Sequence, residues 1–248
     1  MALFRASLLA AAFATAALPA LAAVEYVTNG GFEQSSYTAN TEFGASFGGQ
    51  GVTGWVSPFS SAYNLYWVAG TQSTVEAKSR FPGEAGQRLA TSVTLSPTGG
   101  NFISLDGDAS VRGPVQQTIS GLTAGKRYNL SFDWGATQLQ NRSGDITEQL
   151  SVSFGNETAV TAVKSVVSQG FSGWLHQTFT FTASAGSQVL SFMSLGTPTG
   201  LPPMAVLDGV SITSSVPEPA SFALLGAGLL TVGLARRRLA RGRRAPAA

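Results

Sequence analysis

The chain has 248 residues, 44% of them hydrophobic and only 11% charged, with 29 glycines, 11 prolines and no cysteine. Abundant glycine with so little charge favours short strands and tight turns over surface helices, and the lack of cysteine excludes disulfides and cysteine-held zinc. Of 15 Lys and Arg, Arg5 and six arginines from 236 onward lie at the ends, leaving 8 against 12 acids between them; that stretch is about −4 and has no basic stripe for nucleic-acid phosphates.

Residues 1–22 combine Arg5, a long Ala/Leu/Phe stretch, Pro19 and Ala20-Leu21-Ala22. That is the charged, apolar and small-residue order of a secretory signal peptide, so the mature chain is expected to begin near Ala23. The body, 23–215, reads as one domain. It opens with Asn29-Gly30-Gly31-Phe32-Glu33. Gly44-Ala45-Ser46-Phe47-Gly48 matches G-x-S-x-G, but the glycine-rich stretch around it supplies neither the strand before nor the helix after that a nucleophile elbow needs. The one histidine, His176, falls on a threonine-rich strand face, and no carboxylate pair can be singled out for glycoside hydrolysis. A catalytic role is therefore not expected.

Trp55, Phe59, Tyr63, Tyr66 and Trp67 crowd one stretch amid Ser, Pro and Asn. Aromatic faces on a loop stack on sugar rings, with Asn64 or Gln72 available to hydroxyls, so Tyr63, Tyr66 and Trp67 are candidate ligand-binding residues; the alternative is that they are core, as is expected of Trp55. Strands are expected over 87–95, 101–105, 115–119, 149–154, 188–194 and 205–213. The two clearest are Tyr128, Leu130, Phe132 and Trp134 alternating with Asn129, Ser131 and Asp133, and Leu175, Phe179 and Phe181 alternating with His176, Thr178, Thr180 and Thr182. Asp106-Gly107-Asp108 reads as a turn, with metal binding the lesser alternative. On the closing strand the two-residue period places Asp208 on one face with Val206, Val210 and Ile212, an expensive position for a carboxylate without a partner or a metal. The fold class expected is all-β, a single antiparallel jelly-roll β-sandwich.

The tail carries Val216, Pro217, Glu218 and Pro219, then 15 uncharged residues from Ser221 to Ala235, then Arg236, Arg237 and Arg238. An apolar run of that length is short for a bilayer, workable with snorkelling flanks, and arginines after it stay in the cytoplasm. This three-part order closely resembles the PEP-CTERM sorting signal of Gram-negative bacteria, assigned here to 216–240 with a basic cytoplasmic end at 241–248. The resemblance implies an exosortase-type membrane enzyme as partner, a transient anchor in the inner membrane, and delivery to the cell envelope surface or biofilm matrix. The same tail occurs on some ice-binding proteins, which describes the tail and not the activity.

The body resembles galactose-binding-like jelly rolls, among them several carbohydrate-binding modules. The landmarks are Asn29-Gly30-Gly31-Phe32-Glu33, Val52-Thr53-Gly54-Trp55, the stretch 116–136 and Val206-Leu207-Asp208-Gly209-Val210. This resemblance implies a structural Ca²⁺ held by Glu33 and Asp208 where the chain ends meet, although Gly209 stands where a second Asp is common. The alternative is an Asp208 satisfied by backbone N–H groups. The function expected is an exported, non-catalytic surface or matrix protein that binds or packs with extracellular polysaccharide. A purely structural coat protein stands close behind; a polysaccharide hydrolase and an ice-binding protein are the lesser alternatives.

Overall fold

The computed structural model describes residues 23–43, 51–59, 62–78, 85–201 and 203–215, together with 228–229, 231–233 and 236. The signal-peptide segment 1–22, Ser46 and the motif Val216, Pro217, Glu218, Pro219 lie outside the described residues. Among the described residues no helix is long and apolar enough to cross a membrane.

The described residues form twelve strands: β1 Thr41–Phe43, β2 Asn64–Trp67, β3 Phe102–Asp106, β4 Val115–Ser120, β5 Arg127–Gln138, β6 Ile146–Glu148, β7 Leu150–Phe154, β8 Glu157–Val160, β9 Lys164–Val166, β10 Leu175–Thr182, β11 Ser187–Ser194 and β12 Pro203–Ser214. They make a six-stranded sheet in the order β1-β2-β3-β12-β5-β10, a four-stranded sheet β4-β11-β7-β8 and a β6-β9 pair. Every pairing between these strands is antiparallel. The protein is thus all-β, as the alternation implied.

Alternation decides what the two large sheets bury between them. Tyr128, Leu130, Phe132 and Trp134 of β5, Phe181 of β10, Leu150, Val152 and Phe154 of β7, and Leu190 and Phe192 of β11 join one core. Phe192 sits 5.1 Å from Phe132 and 6.2 Å from Trp55, ring centre to ring centre. Trp55 is completely buried, and its indole N–H donates to Asn29 O at 3.0 Å.

A second core lies on the outer face of the six-stranded sheet. Leu65, Trp67, Phe102, Met204 and Val206 are covered there by Ala77, Leu89, Ala90, Val93 and Leu139, with Phe171 and Trp174 at its border. This explains why β2 and β3 are buried at every position instead of at alternate ones: a sheet covered on both faces loses its period-two signature. It also corrects the strand expected over 87–95. That stretch makes only an isolated bridge at each of Gln87 and Leu89, and contributes Leu89, Ala90 and Val93 as a cover.

The pairing of β12 with β5 slips between Asp208 and Ser211, at a bulge where Gly209 has φ +60°. A side chain at 209 would need that unfavourable φ and would stand 3.0 Å from Asp133 Oδ2. The bulge reverses the facing of the strand. Val206 belongs to the outer core while Val210 and Ile212 belong to the inner one. Asp208, opposite Asp133 in register, therefore does not share a face with Val210 and Ile212 as uniform alternation suggested.

Candidate functional site

The first candidate site is built where the chain ends meet. Asn29 and Phe32 adopt left-handed φ of 54° and 57°, and Asn29 ties the loop down: its Oδ1 accepts from Gln34 N at 2.9 Å while its Nδ2 donates to Gln34 O and Thr53 O. Gly30 O accepts from Val210 N at 3.0 Å, and a Cβ on Gly30 would lie 1.8 Å from Val210 O, so the loop docks on the closing strand only with glycine there. Glu33 is carried on this loop. Its two carboxylate oxygens accept from Asn101 N at 2.7 Å and Asn101 Nδ2 at 3.0 Å.

Asp208 is fully buried. Oδ2 accepts from the hydroxyls of both Ser96 and Thr98, and Oδ1 from Gly209 N at 2.7 Å. Burial pushes its pKa up to about 6; the two hydroxyls and Gly209 N–H oppose that rise, and the charge of Glu33 adds to it. Carboxylate and hydroxyl oxygens such as those of Asp208, Ser96 and Thr98 are hard donors of the type that suits Ca²⁺. Among the described residues no group of three or more His, Asp and Glu converges, so an ion here would be completed by Ser96, Thr98 and main-chain carbonyls. The same hydroxyls and amide also satisfy Asp208 by hydrogen bonding alone.

The aromatic stretch is placed differently from the exposed platform expected of it. Tyr66 is 1% exposed in the inner core, and Trp67 is fully buried in the outer one, its indole N–H donating to Ser104 Oγ at 2.8 Å. Their strand, β2, lies between β1 and β3 and is covered on both faces, so neither ring is available to a ligand. Asn64 and Gln72 are buried as well, and their amides donate to Ser57 Oγ and Val93 O. Tyr63, at the strand's start, is half-buried.

Tyr63 lines a cavity of about 280 Å³ at the end of the sandwich, with Gln87, Asp106, Asp108, Arg142 and Gly200 among its other walls. Burial lifts Asp106 to a pKa of about 7; the N–H of Asp108 and the guanidinium of Arg142 oppose the rise and the Asp108 charge supports it. Burial also works against the charge on Asp108, but the Ser110 hydroxyl, Ser110 N–H and Gly200 N–H all donate to it and leave its pKa below the usual carboxylate range. These bonds make the Asp106-Gly107-Asp108 segment a turn that closes on its own side chains. A tyrosine ring, an ionised carboxylate, a protonatable acid, an amide and a guanidinium around one small cavity suit a polyhydroxylated ligand. Gln87 and Arg142 gave no signal in the sequence, because the walls come from segments far apart in the chain.

His176 is largely exposed, with Nδ1 2.9 Å from Asp133 Oδ1.

Residues 215–238 match the PEP-CTERM protein-sorting motif. The protein Halomucin of Haloquadratum walsbyi is 30% identical over 120 residues, covering 48% of this chain; the chain spans about 1% of the length of that relative. Among solved structures, TmCBM61 in complex with β-1,4-galactotriose is similar with a TM-score of 0.40, 12% identity, 77% of this chain and 99% of that one. The CBM22-1 xylan-binding domain of a Paenibacillus barcinonensis xylanase gives 0.36, 11%, 75% and 98%. The CBM22-1 and GH10 modules of a Clostridium thermocellum xylanase, complexed with xylohexaose, give 0.37, 19%, 66% and 26%. Residues 83–212, more than half of the chain, match the family described as "Protein of unknown function (DUF642)", and the chain belongs to that family.

Proposed function

We propose that this is an exported, non-catalytic protein of the cell surface or extracellular matrix. Its sandwich body binds extracellular polysaccharide, and its tail is recognised and removed by an exosortase-type enzyme after transient anchoring in the inner membrane. The observation that carries the reading is the pairing of a sorting motif at 215–238 with a loop-end cavity that sets the Tyr63 ring among Asp106, Asp108 and Arg142. An aromatic ring covers the apolar C–H face of a pyranose, while the acids, amide and guanidinium take its hydroxyls. Glu33 and Asp208 hold Ca²⁺ at the junction of the chain ends and stabilise the body without touching the sugar.

The test is electrophoresis of the exported protein in gels cast with exopolysaccharide. The wild type is retarded, Arg142→Ala weakens the retardation with little change in melting temperature, and Tyr63→Ala, whose ring also packs on the outer core, weakens it with some loss of stability. Equal mobility of all three in every polysaccharide overturns the reading. The second reading, a structural coat protein, is favoured by the burial of Tyr66 and Trp67, which takes both rings out of reach of a polymer.

A further inference from the structure

Strand β10 ends the six-stranded sheet, and among the described residues no strand pairs with its far edge. Exposed edges are templates for further pairing, and proteins ordinarily blunt them with short length, bulges, proline, lysine or a covering segment. The other edges here are blunted: β1 has 3 residues, β8 has 4, and β4 is bridged by Val56, which exchanges both main-chain hydrogen bonds with Gln116. Among the described residues β10 is covered only at its end, where Glu157 takes the Thr182 N–H, and by its own Gln177 side chain on Thr178 O. It runs 8 residues, Leu-His-Gln-Thr-Phe-Thr-Phe-Thr, in unbroken register with β5 and without proline, lysine or any carboxylate.

Which main-chain groups it presents follows from two bonds. Thr182 N–H turns away from β5 to Glu157 Oε2 at 3.2 Å, and Thr178 O accepts from the neighbouring Gln177 side chain at 3.1 Å. By the alternation of an antiparallel ladder, His176, Thr178 and Thr180 then direct their N–H and C=O outward, while Gln177, Phe179 and Phe181 bond to β5. Phe179 is only partly buried. It packs on Phe132 and Phe181 at 5.9 and 6.1 Å.

We propose that this edge pairs with β10 of a second copy of the chain, antiparallel about a two-fold axis, so that the six-stranded sheet continues from one molecule into the next. Outward-bonding residues must meet outward-bonding residues. The register that centres the axis on Phe179 satisfies this: Thr178 faces Thr180 of the second copy, Gln177 faces Phe181, and Phe179 faces Phe179. At the new seam the Phe179 pair occupies a non-hydrogen-bonded position, where side chains approach most closely and aromatic pairs contribute most. Thr178 and Thr180 form hydrogen-bonding pairs on the outer face, and no like charges are opposed. A two-fold pairing of this kind closes on itself and gives a dimer, not a fibre.

The absence of native cysteine makes the test direct. Thr178→Cys and Thr180→Cys variants of the full-length exported protein are mixed under mild oxidation, since opposed residues in a bonded antiparallel pair lie within disulfide reach. The mixture yields a disulfide-linked dimer and neither variant alone does so. Sedimentation shows a concentration-dependent dimer for the wild type, and Thr178→Pro, whose N–H is outside the β5 ladder, is monomeric with a similar melting temperature. A monomer at every concentration, linkage of Thr178→Cys to itself alone, or a dimer unaffected by Thr178→Pro overturns the proposal. Should the proline variant fail to fold, the mixed-cysteine result decides.

Discussion

Glu148 is fully buried at the end of β6, under the turn at Gly107. Oε1 accepts from Gln149 N at 2.8 Å and Leu195 N at 3.1 Å, while Oε2 lies beside Ser194 Oγ where a Cβ on Gly107 would otherwise stand. Burial drives its pKa from 4.5 to about 8 against the pull of those donors, and Asp106 adds to the rise. At neutral pH the side chain is therefore a neutral acid. Because the folded pKa is the higher one, the folded state holds the proton after the unfolded state has lost it. The contribution of this group to stability is complete below about pH 4.5 and is lost as pH rises towards 8. At about 1.4 kcal/mol per unit, the full loss is about 5 kcal/mol. Glu148→Gln keeps the shape but cannot ionise. Urea unfolding of both proteins at pH 4, 7 and 9 should show near-equal stability at pH 4 and a variant several kcal/mol more stable at pH 9. Parallel stability curves, or a variant weaker by the same amount at every pH, refute the assignment of a neutral buried acid.

Ca²⁺ near 100 times its dissociation constant should raise wild-type stability by about 2.7 kcal/mol, and Asp208→Asn should abolish that response in calorimetry run with ion and with chelator. Trp67→Ala should cost about 3–5 kcal/mol in denaturant unfolding, because the ring fills the outer core; loss of polysaccharide retention without loss of stability would contradict its burial. Changing Pro217 and Glu218 to Ala should leave uncut chain in the inner membrane, as mass spectrometry of the fractions will show. An intact Ala248 on the mature extracellular protein argues against removal of the tail.

The legible parts of this fold are those whose faces see different surroundings. β5 alternates in burial over Tyr128 to Phe132, and β10 over Leu175 to Thr182, because there one face meets the inner core and the other is more open to water. β2 reads as loop in the sequence for the opposite reason: a four-residue strand buried on both faces offers no alternation, it opens on Asn64, and Ser57 and Pro58 before it look like turn residues. Asp208 shows a third limit. Its proximity to Glu33 followed from the family resemblance, and its burial from the apolar strand, but its facing depended on one inserted residue at Gly209 that uniform periodicity does not register. The loop-end cavity was the least legible. Only Tyr63 and the two aspartates drew notice in sequence, each for another reason, and Arg142 joins them because β3, β5 and β12 bring their ends together there. Sheet register assembles that site from distant segments, so its composition could be read only after the pairing of the strands was known. The same reasoning gives β10 its importance: its eight residues are legible as a strand in the sequence, but as an edge only in the sheet.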